Sequence, residues 1–238
     1  MSEGWLSAPL RAFSAFPTRL NLAVLASGAG TNFRAICAAA RAGELGQAEP
    51  MLLICNCECG AMDIARELEI PAHVISPRDY ESATEWEDAI LGALRAYEID
   101  FVALAGYLRI VGKPLLEAFP DRIVNLHPAL LPAYPGLHII EQIWRDAASS
   151  NLEVAAAAKA AAGVTVHLID AGMDTGPVIA QQAIDVTEYS TEAEFEAAVH
   201  TVEHELFPQV IADLSHKIQR VQKEGTPYWL KRAQSKEK

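Results

Sequence analysis

The sequence lacks the features that mark membrane, secreted and nucleic-acid-binding proteins. Charged residues, Gly or Pro interrupt every apolar run before it reaches the roughly 20 residues that span a bilayer. The first twenty residues lack both a basic segment and an unbroken apolar core, so we expect a disordered leader over 1–20 rather than a secretory signal. Because 31 Asp and Glu outnumber 19 Lys and Arg, the net charge of −12 disfavours nucleic acid and anionic membranes as partners.

Cysteine is also scarce. The chain has four, and three of them stand close together as Cys55, Cys57 and Cys59. Zinc sites use gaps of about two to four residues between ligands and a second ligand pair, neither of which is found here. We therefore expect no metal and a cluster of reduced thiols, which suits a cytoplasmic protein.

What the chain does contain is apolar sequence in a regular order. With 51% hydrophobic residues in 238, it can bury the core of one domain, which we place at residues 21–222 with a loose tail at 223–238. Alternating β-rich and helical patterns predict an α/β fold with a mostly parallel sheet and crossover helices. The predicted strands are 21–26, 51–55, 72–75, 101–105, 122–126, 164–169 and 178–184, and the predicted helices are 32–42, 61–68, 84–97, one long helix from 137 to 162 closed by Gly163, and 192–214.

A glycine-rich loop, Ser27-Gly28-Ala29-Gly30-Thr31-Asn32, separates the first strand from the first helix. Thr31 or Asn32 is expected to cap that helix, whose free N–H groups and positive dipole end favour an anion such as a phosphate. A dinucleotide is disfavoured, because Phe33 and Asn56 stand where its motif needs a small residue and an acid. A tight turn with a helix cap is the structural alternative.

A polar pair, Asn125 and His127, stands at the end of the fifth predicted strand. Residues two apart in a strand point to the same side, and ligands of open α/β sheets bind at this carboxyl edge. An amide donor beside a titratable imidazole suits oxyanion stabilisation and proton transfer at a carbonyl carbon. A buried structural His with a turn Asn is the alternative.

An acidic loop, Asp170-Ala171-Gly172-Met173-Asp174-Thr175-Gly176-Pro177, joins the last two predicted strands. A carboxylate held against His127 would raise the pKa of the imidazole and make it an acid near neutral pH. Ordinary turn chemistry of Asp and Gly is the alternative explanation.

Five segments taken together resemble the glycinamide ribonucleotide formyltransferase family, the folate-dependent enzymes of purine biosynthesis. Between residues 21 and 214 they read NLAVLASGAGTNF, ALAGYLRIV, IVNLHPALLPAYPGLH, GVTVHLIDAGMDTGPVI and TVEHELFPQVI. The resemblance implies a three-layer, Rossmann-like formyltransferase fold. It also implies direct transfer of a formyl group from 10-formyltetrahydrofolate to the amine of glycinamide ribonucleotide, without a metal.

The resemblance further implies roles for individual residues. His127 would be the general acid, Asn125 would hold the formyl oxygen, and Asp174 would raise the imidazole pKa and order a water. The ribonucleotide phosphate would bind the amides of Gly30, Thr31 and Asn32, and Glu203 would bind the ribose hydroxyls. The remaining implied contacts are His200, Thr201 and Val202 for the ribonucleotide, and Leu108, Arg109, Ile110, Val111, Asn125, Asp170, Ala171, Gly172, Met173 and Asp174 for folate.

The chain departs from the family in two places, and other functions stay open. Ala83 stands where relatives carry an Arg for the folate tail, with Arg78 as the candidate substitute, and residues 154–162 form an Ala-rich extension. The alternatives are a formyltetrahydrofolate hydrolase, a methionyl-tRNA formyltransferase and a phosphate-binding module without turnover. We expect no room for the extra domain of the first two. The expected partners are small molecules, and the expected assembly is a monomer or weak homodimer.

Overall fold

The computed structural model describes residues 19–223, with side chains as far as 216. The predicted leader and tail fall almost wholly outside this range and stay predictions. The strands are β1 (Leu20–Ala26), β2 (Ala48–Cys55), β3 (Ala72–Val74), β4 (Phe101–Leu104), β5 (Ile123–His127), β6 (Gly163–Leu168) and β7 (Val178–Ala183). The helices are α1 (Thr31–Arg41), α2 (Gly60–Leu68), α3 (Ala83–Ala96), α4 (Lys113–Ala118), α5 (Ile139–Ala147), α6 (Leu152–Ala161) and α7 (Glu192–Lys223).

The seven strands form one sheet in the order β3-β2-β1-β4-β5-β6-β7. The pairs from β3 to β5 are parallel, and β6 pairs antiparallel with both β5 and β7. The predicted α/β class with a mostly parallel sheet is confirmed. Because the strand order reverses between β1 and β4, a crevice is expected where their carboxyl ends separate.

Both faces of the sheet are covered by helices, which explains why its central strands β1 and β4 read as apolar runs. Leu22 and Val24 of β1 pack in the core on the side of α1, α2, α5 and α7, whereas Ala23 and Leu25 pack on the side of α3 and α4. The resulting layers are helix, sheet and helix. Within residues 19–223, no helix is both long and apolar enough to cross a membrane.

The predicted single helix over 137–162 is wrong. Two helices, α5 and α6, occupy this segment, and the Asn151 side chain accepts hydrogen bonds from the N–H groups of Glu153 (3.0 Å) and Val154 (3.4 Å). Asn151 therefore starts a new helix, as N-cap residues do. Gly163 is the first residue of β6 rather than a helix cap, and a Cβ there would lie 2.4 Å from the carbonyl oxygen of Gln182.

The short helix α4 is absent from the sequence prediction. It has only six residues, with Gly112 at its N-cap and a proline in its first turn. A segment this short gives too little periodicity to be recognised. Its position matters, because it directly follows the residues implied to bind folate.

Candidate active site

Two loops meet at the edge of the sheet where the strand order reverses. The N–H of Ser27, directly after β1, donates to the carbonyl of Gly106, after β4, at 3.1 Å. The N–H of Leu108 donates to the Ser27 hydroxyl at 2.9 Å. The glycine-rich loop and the loop 106–112 therefore lie side by side at the crevice.

Asn125, His127 and Asp174 come together at the same edge, although 47 residues separate the last two in the sequence. The Nδ1 atom of His127 lies 3.6 Å from Oδ2 of Asp174, and its Nε2–H donates to the carbonyl of Tyr134 at 2.8 Å. The β5–β6–β7 pairing causes this meeting, because the loop joining β6 to β7 returns over the end of β5. The imidazole thus has one nitrogen held by the backbone and the other facing a carboxylate.

Burial decides the net pKa of His127. Removal from solvent lowers the pKa of this imidazole below its usual 6.5, whereas Asp174 and the Tyr134 carbonyl raise it. Asp174 therefore acts in the expected direction, but burial outweighs it and the net pKa is lowered. The ring is accordingly neutral in the free protein near pH 7.

Asp174 is held as an anion. Burial raises the pKa of its carboxyl, but the contact with His167, the N–H of Gly136 and the charge of His127 lower it further than burial raises it. The Gly136 N–H donates to Oδ2 at 2.9 Å, which ties the β6–β7 loop to the loop after β5. Asp174 therefore both carries charge and fixes the loop around His127.

The Asp170 side chain, in the same loop, makes local hydrogen bonds within the turn. Its Oδ1 accepts hydrogen bonds from the N–H of Gly172 (2.9 Å) and the hydroxyl of Thr175 (2.7 Å), which is ordinary turn chemistry. Ala171, Gly172 and Met173 are exposed between these anchors. Asp170 thus shapes the loop, while Asp174 faces the histidines.

His167 belongs to this cluster and the sequence analysis did not single it out. It is fully buried on β6, its Nδ1–H donates to the carbonyl of Leu168 at 2.8 Å, and its Nε2 lies 3.1 Å from the Asn125 amide nitrogen. The same Nε2 lies 3.6 Å from Oδ1 of Asp174, so it stands between the Asn125 amide and that carboxylate. One N–H of the Asn125 amide faces Nε2, and the other is left for a ligand. The available signal was a single titratable residue within the mostly apolar strand GVTVHL.

The start of α1 is built differently from the prediction. Gly30 is the N-cap, at a left-handed φ of 78°, and among the described residues no side chain caps this helix. Its first turn also carries no acidic residue. The prediction that Thr31 or Asn32 caps the helix is therefore wrong, and the amides of the first turn are left without a competing side-chain acceptor, as an anion site requires.

The Asn32 side chain instead connects α1 to α7. Its Nδ2 donates to Oε2 of the buried Glu203 at 2.9 Å, and Nδ1 of His200 lies 2.9 Å from the same oxygen. The bond to Glu203 is the largest of the influences that raise the pKa of His200. Thr201 and Val202 take no part in this cluster, since the Thr201 hydroxyl donates to the Ala197 carbonyl and Val202 packs against the core.

The loops at this edge of the sheet carry exposed apolar side chains. Leu108 is 60% exposed, Ile110 74% and Met173 57%, whereas Val111 is buried. Arg109 is exposed among them. Large apolar side chains exposed on loops at the carboxyl edge of a sheet are typical of a site for a partly apolar ligand.

The cysteine cluster lies next to the glycine-rich loop. Cys55 is buried, Cys57 is exposed, and Cys59 is half-buried at the N-cap of α2. Burial raises the pKa of the Cys55 thiol. Among the residues that the structure describes, no group of three or more His, Cys, Asp and Glu side chains could hold a metal ion.

Comparisons with known proteins identify the family of this chain. The chain matches the formyl transferase family over residues 20–211. It is 40% identical over 193 residues to the phosphoribosylglycinamide formyltransferase of Bacillus subtilis, an alignment that covers 81% of this chain and 93% of that protein. Among solved structures, glycinamide ribonucleotide transformylase 1 of Geobacillus kaustophilus is 44% identical with a TM-score of 0.74, covering 82% of this chain and 98% of that one. The phosphoribosylglycinamide formyltransferase of Bacillus halodurans is 40% identical with a TM-score of 0.73, covering 82% and 94%. The chain therefore belongs to the formyl transferase family of enzymes.

Proposed function

We propose that this enzyme transfers the formyl group of 10-formyltetrahydrofolate to the amine of glycinamide ribonucleotide, by direct attack and with His127 as the proton donor. One observation carries the proposal: Asn125, His127 and Asp174 meet at the same edge of the sheet as a helix start suited to phosphate and exposed apolar side chains suited to a pterin. The names of its relatives support glycinamide ribonucleotide as the acceptor of the formyl group.

Asn125 stabilises the negative charge that develops on the formyl oxygen as the amine attacks. Its amide is oriented by the hydrogen bond to His167, so the free N–H does not have to reorganise during the reaction. A preorganised donor of this kind contributes about 10²-fold or more to the rate.

His127 moves a proton. In the transfer a bond forms between the substrate amine and the formyl carbon, the bond from that carbon to N10 of the folate breaks, and the amine proton passes to N10. Because burial keeps His127 neutral in the free protein, it first accepts the proton that the amine loses and then donates it to N10. The Asp174 carboxylate, 3.6 Å away, stabilises the imidazolium between these two steps.

Binding of the ribonucleotide falls to α1 and α7. The amides of Gly30, Thr31 and Asn32 would hold the phosphate, and Glu203 would accept hydrogen bonds from the ribose hydroxyls. Because the chain carries a net charge of −12, long-range attraction does not help an anionic substrate, and these local dipoles must supply the affinity.

The decisive experiment follows tetrahydrofolate release from 10-formyltetrahydrofolate by the purified protein, with and without glycinamide ribonucleotide. We expect release only when the ribonucleotide is present, with one formylated product formed per tetrahydrofolate. Release that is independent of the ribonucleotide would indicate a hydrolase, and no release under either condition would refute both enzymatic activities.

A further inference from the structure

Glu87 is a buried acid that the proposed chemistry does not use. It lies on α3, only 4% exposed, and burial raises the pKa of its carboxyl. An ionised group in such a place costs stability, and an apolar residue of similar size would avoid that cost. A carboxyl buried in this way needs a contact with a hydrogen-bond donor.

That contact is with the backbone at the start of α4. The N–H of Gly112 donates to Oε1 of Glu87 at 2.6 Å, and the N–H of Leu115 also favours the ionised carboxylate. The approach is so close that a Cβ on Gly112 would lie 2.5 Å from Oε1. Glu87 thus caps α4 from a helix more than twenty residues away, in place of a local capping side chain.

The segment held in this way contains the residues implied to bind folate. At one end of the loop 106–112, the Leu108 N–H is bound by the Ser27 hydroxyl, and at the other end the Gly112 N–H is bound by Glu87. Between these two anchors stand Ile110, which is 74% exposed, and the buried Val111. An apolar side chain exposed on a loop has little packing to hold it, so its position depends on the anchors.

We propose that Glu87 is a positioning residue for the formyl donor: by accepting the Gly112 N–H it fixes the loop 106–112 in the conformation that receives the pterin. The identity of the ligand in this proposal rests on the proposed function. The anchoring of the loop 106–112 does not, because it is a property of the free protein.

The test compares three variants with the wild-type protein. Glu87→Leu keeps the volume and removes the acceptor, whereas Glu87→Gln removes the charge and keeps an oxygen in the place of Oε1. Asp88→Leu is the matched control, because Asp88 is an exposed acid on the same helix. Steady-state kinetics are measured with each substrate varied in turn, and amide hydrogen exchange is followed at residues 106–118.

We expect Glu87→Leu to raise the KM for 10-formyltetrahydrofolate by about tenfold or more, the effect of losing a hydrogen bond to a charged group. The ribonucleotide KM and the kcat at saturating donor should stay within about twofold of wild type. Glu87→Gln should restore the donor KM to within about threefold, because the amide oxygen still accepts the Gly112 N–H. Asp88→Leu should match the wild type throughout.

A folded Glu87→Leu variant with an unchanged donor KM, or with both KM values raised equally, would overturn the proposal. A donor KM in Glu87→Gln as high as in Glu87→Leu would overturn it too. If Glu87→Leu does not fold, Glu87→Asp replaces it, since it keeps the charge but withdraws the acceptor by one methylene and should also raise the donor KM. If the wild type shows no turnover, the proposed function fails but the anchoring is still tested. In that case the amides of Gly112 and Leu115 must exchange faster in Glu87→Leu than in the wild type. Equal exchange rates would refute the anchoring.

Discussion

Replacement of Asp174 by Asn tests the electrostatic part of the reaction most directly. The carboxylate lies 3.6 Å from Nδ1 of His127, a distance at which opposite unit charges attract by about 4 to 5 kcal/mol at an effective dielectric of about 20. Part of this attraction is offset because the imidazolium is also desolvated, which is why the net pKa of His127 is lowered. If somewhat more than half of this attraction acts during proton transfer, Asp174→Asn raises the activation free energy by about 2.7 kcal/mol. This lowers kcat by about 100-fold.

The substitution is conservative in shape. The Asn oxygen can still accept the N–H of Gly136, so the loop should keep its conformation while the charge is lost. Without the carboxylate the pKa of His127 falls further, and the limb of the pH–rate profile that reports this group should move to lower pH.

The assay is tetrahydrofolate release over a range of pH, with folding checked by circular dichroism and thermal unfolding. Asp185→Asn is the control: this carboxyl also has a lowered pKa, through its bonds to Thr187, but it lies outside the cluster around His127. We expect the control to keep its activity within about twofold. A folded Asp174→Asn variant with near-normal kcat and an unmoved pH profile would refute the reasoning.

Two further predictions concern stability. Gly30→Ala should lower the free energy of unfolding, measured in urea, by about 1 to 3 kcal/mol, because Gly30 has φ 78° and a Cβ would lie 2.6 Å from the Ala61 Cα. Gly28→Ala is the control and should change this free energy by less than about 1 kcal/mol, because a Cβ there meets nothing within 4 Å. Equal losses in the two variants would contradict the clash at Gly30. The second concerns His200, whose pKa is raised from 6.5 chiefly by Glu203, with Glu196 adding to the effect. Its ion pair contributes stability that is fully present below pH 6.5 and is lost as the pH rises through the folded pKa. His200→Gln should therefore destabilise the protein more at about pH 5.5 than at about pH 9, and equal destabilisation would contradict the assignment.

The prediction of elements succeeded where a single local pattern dominates. Strands β1, β2 and β4 contain buried apolar runs, and the strands from β1 to β5 were each predicted to within a few residues. The helix prediction failed between 137 and 162, because the apolar and Ala-rich segments on both sides of Ser149, Ser150 and Asn151 all favour helix. Only the cap formed by Asn151 separates α5 from α6.

Residue roles were harder to predict than elements. Asn32 was expected to cap its own helix, but its side chain binds Glu203, which lies 171 residues further along the chain. No local pattern contains a partner at that distance. His167 and Glu87 were not singled out for the same reason, since their partners Asn125 and Gly112 lie 42 and 25 residues away in the sequence.

The sequence by itself determined the α/β class, the order of the strands along the chain, the strand that carries Asn125 and His127, and the loops that carry Gly30 and Asp174. These follow from local periodicity and from the chemistry of short motifs, and the resemblance to a known family depends on nothing more. The tertiary structure alone decided the balance of forces at those residues. Burial, which no motif encodes, turns the expected rise in the pKa of His127 into a net fall. It also gives Glu87 a capping role, because the packing of α3 against α4 brings its carboxylate to the Gly112 amide.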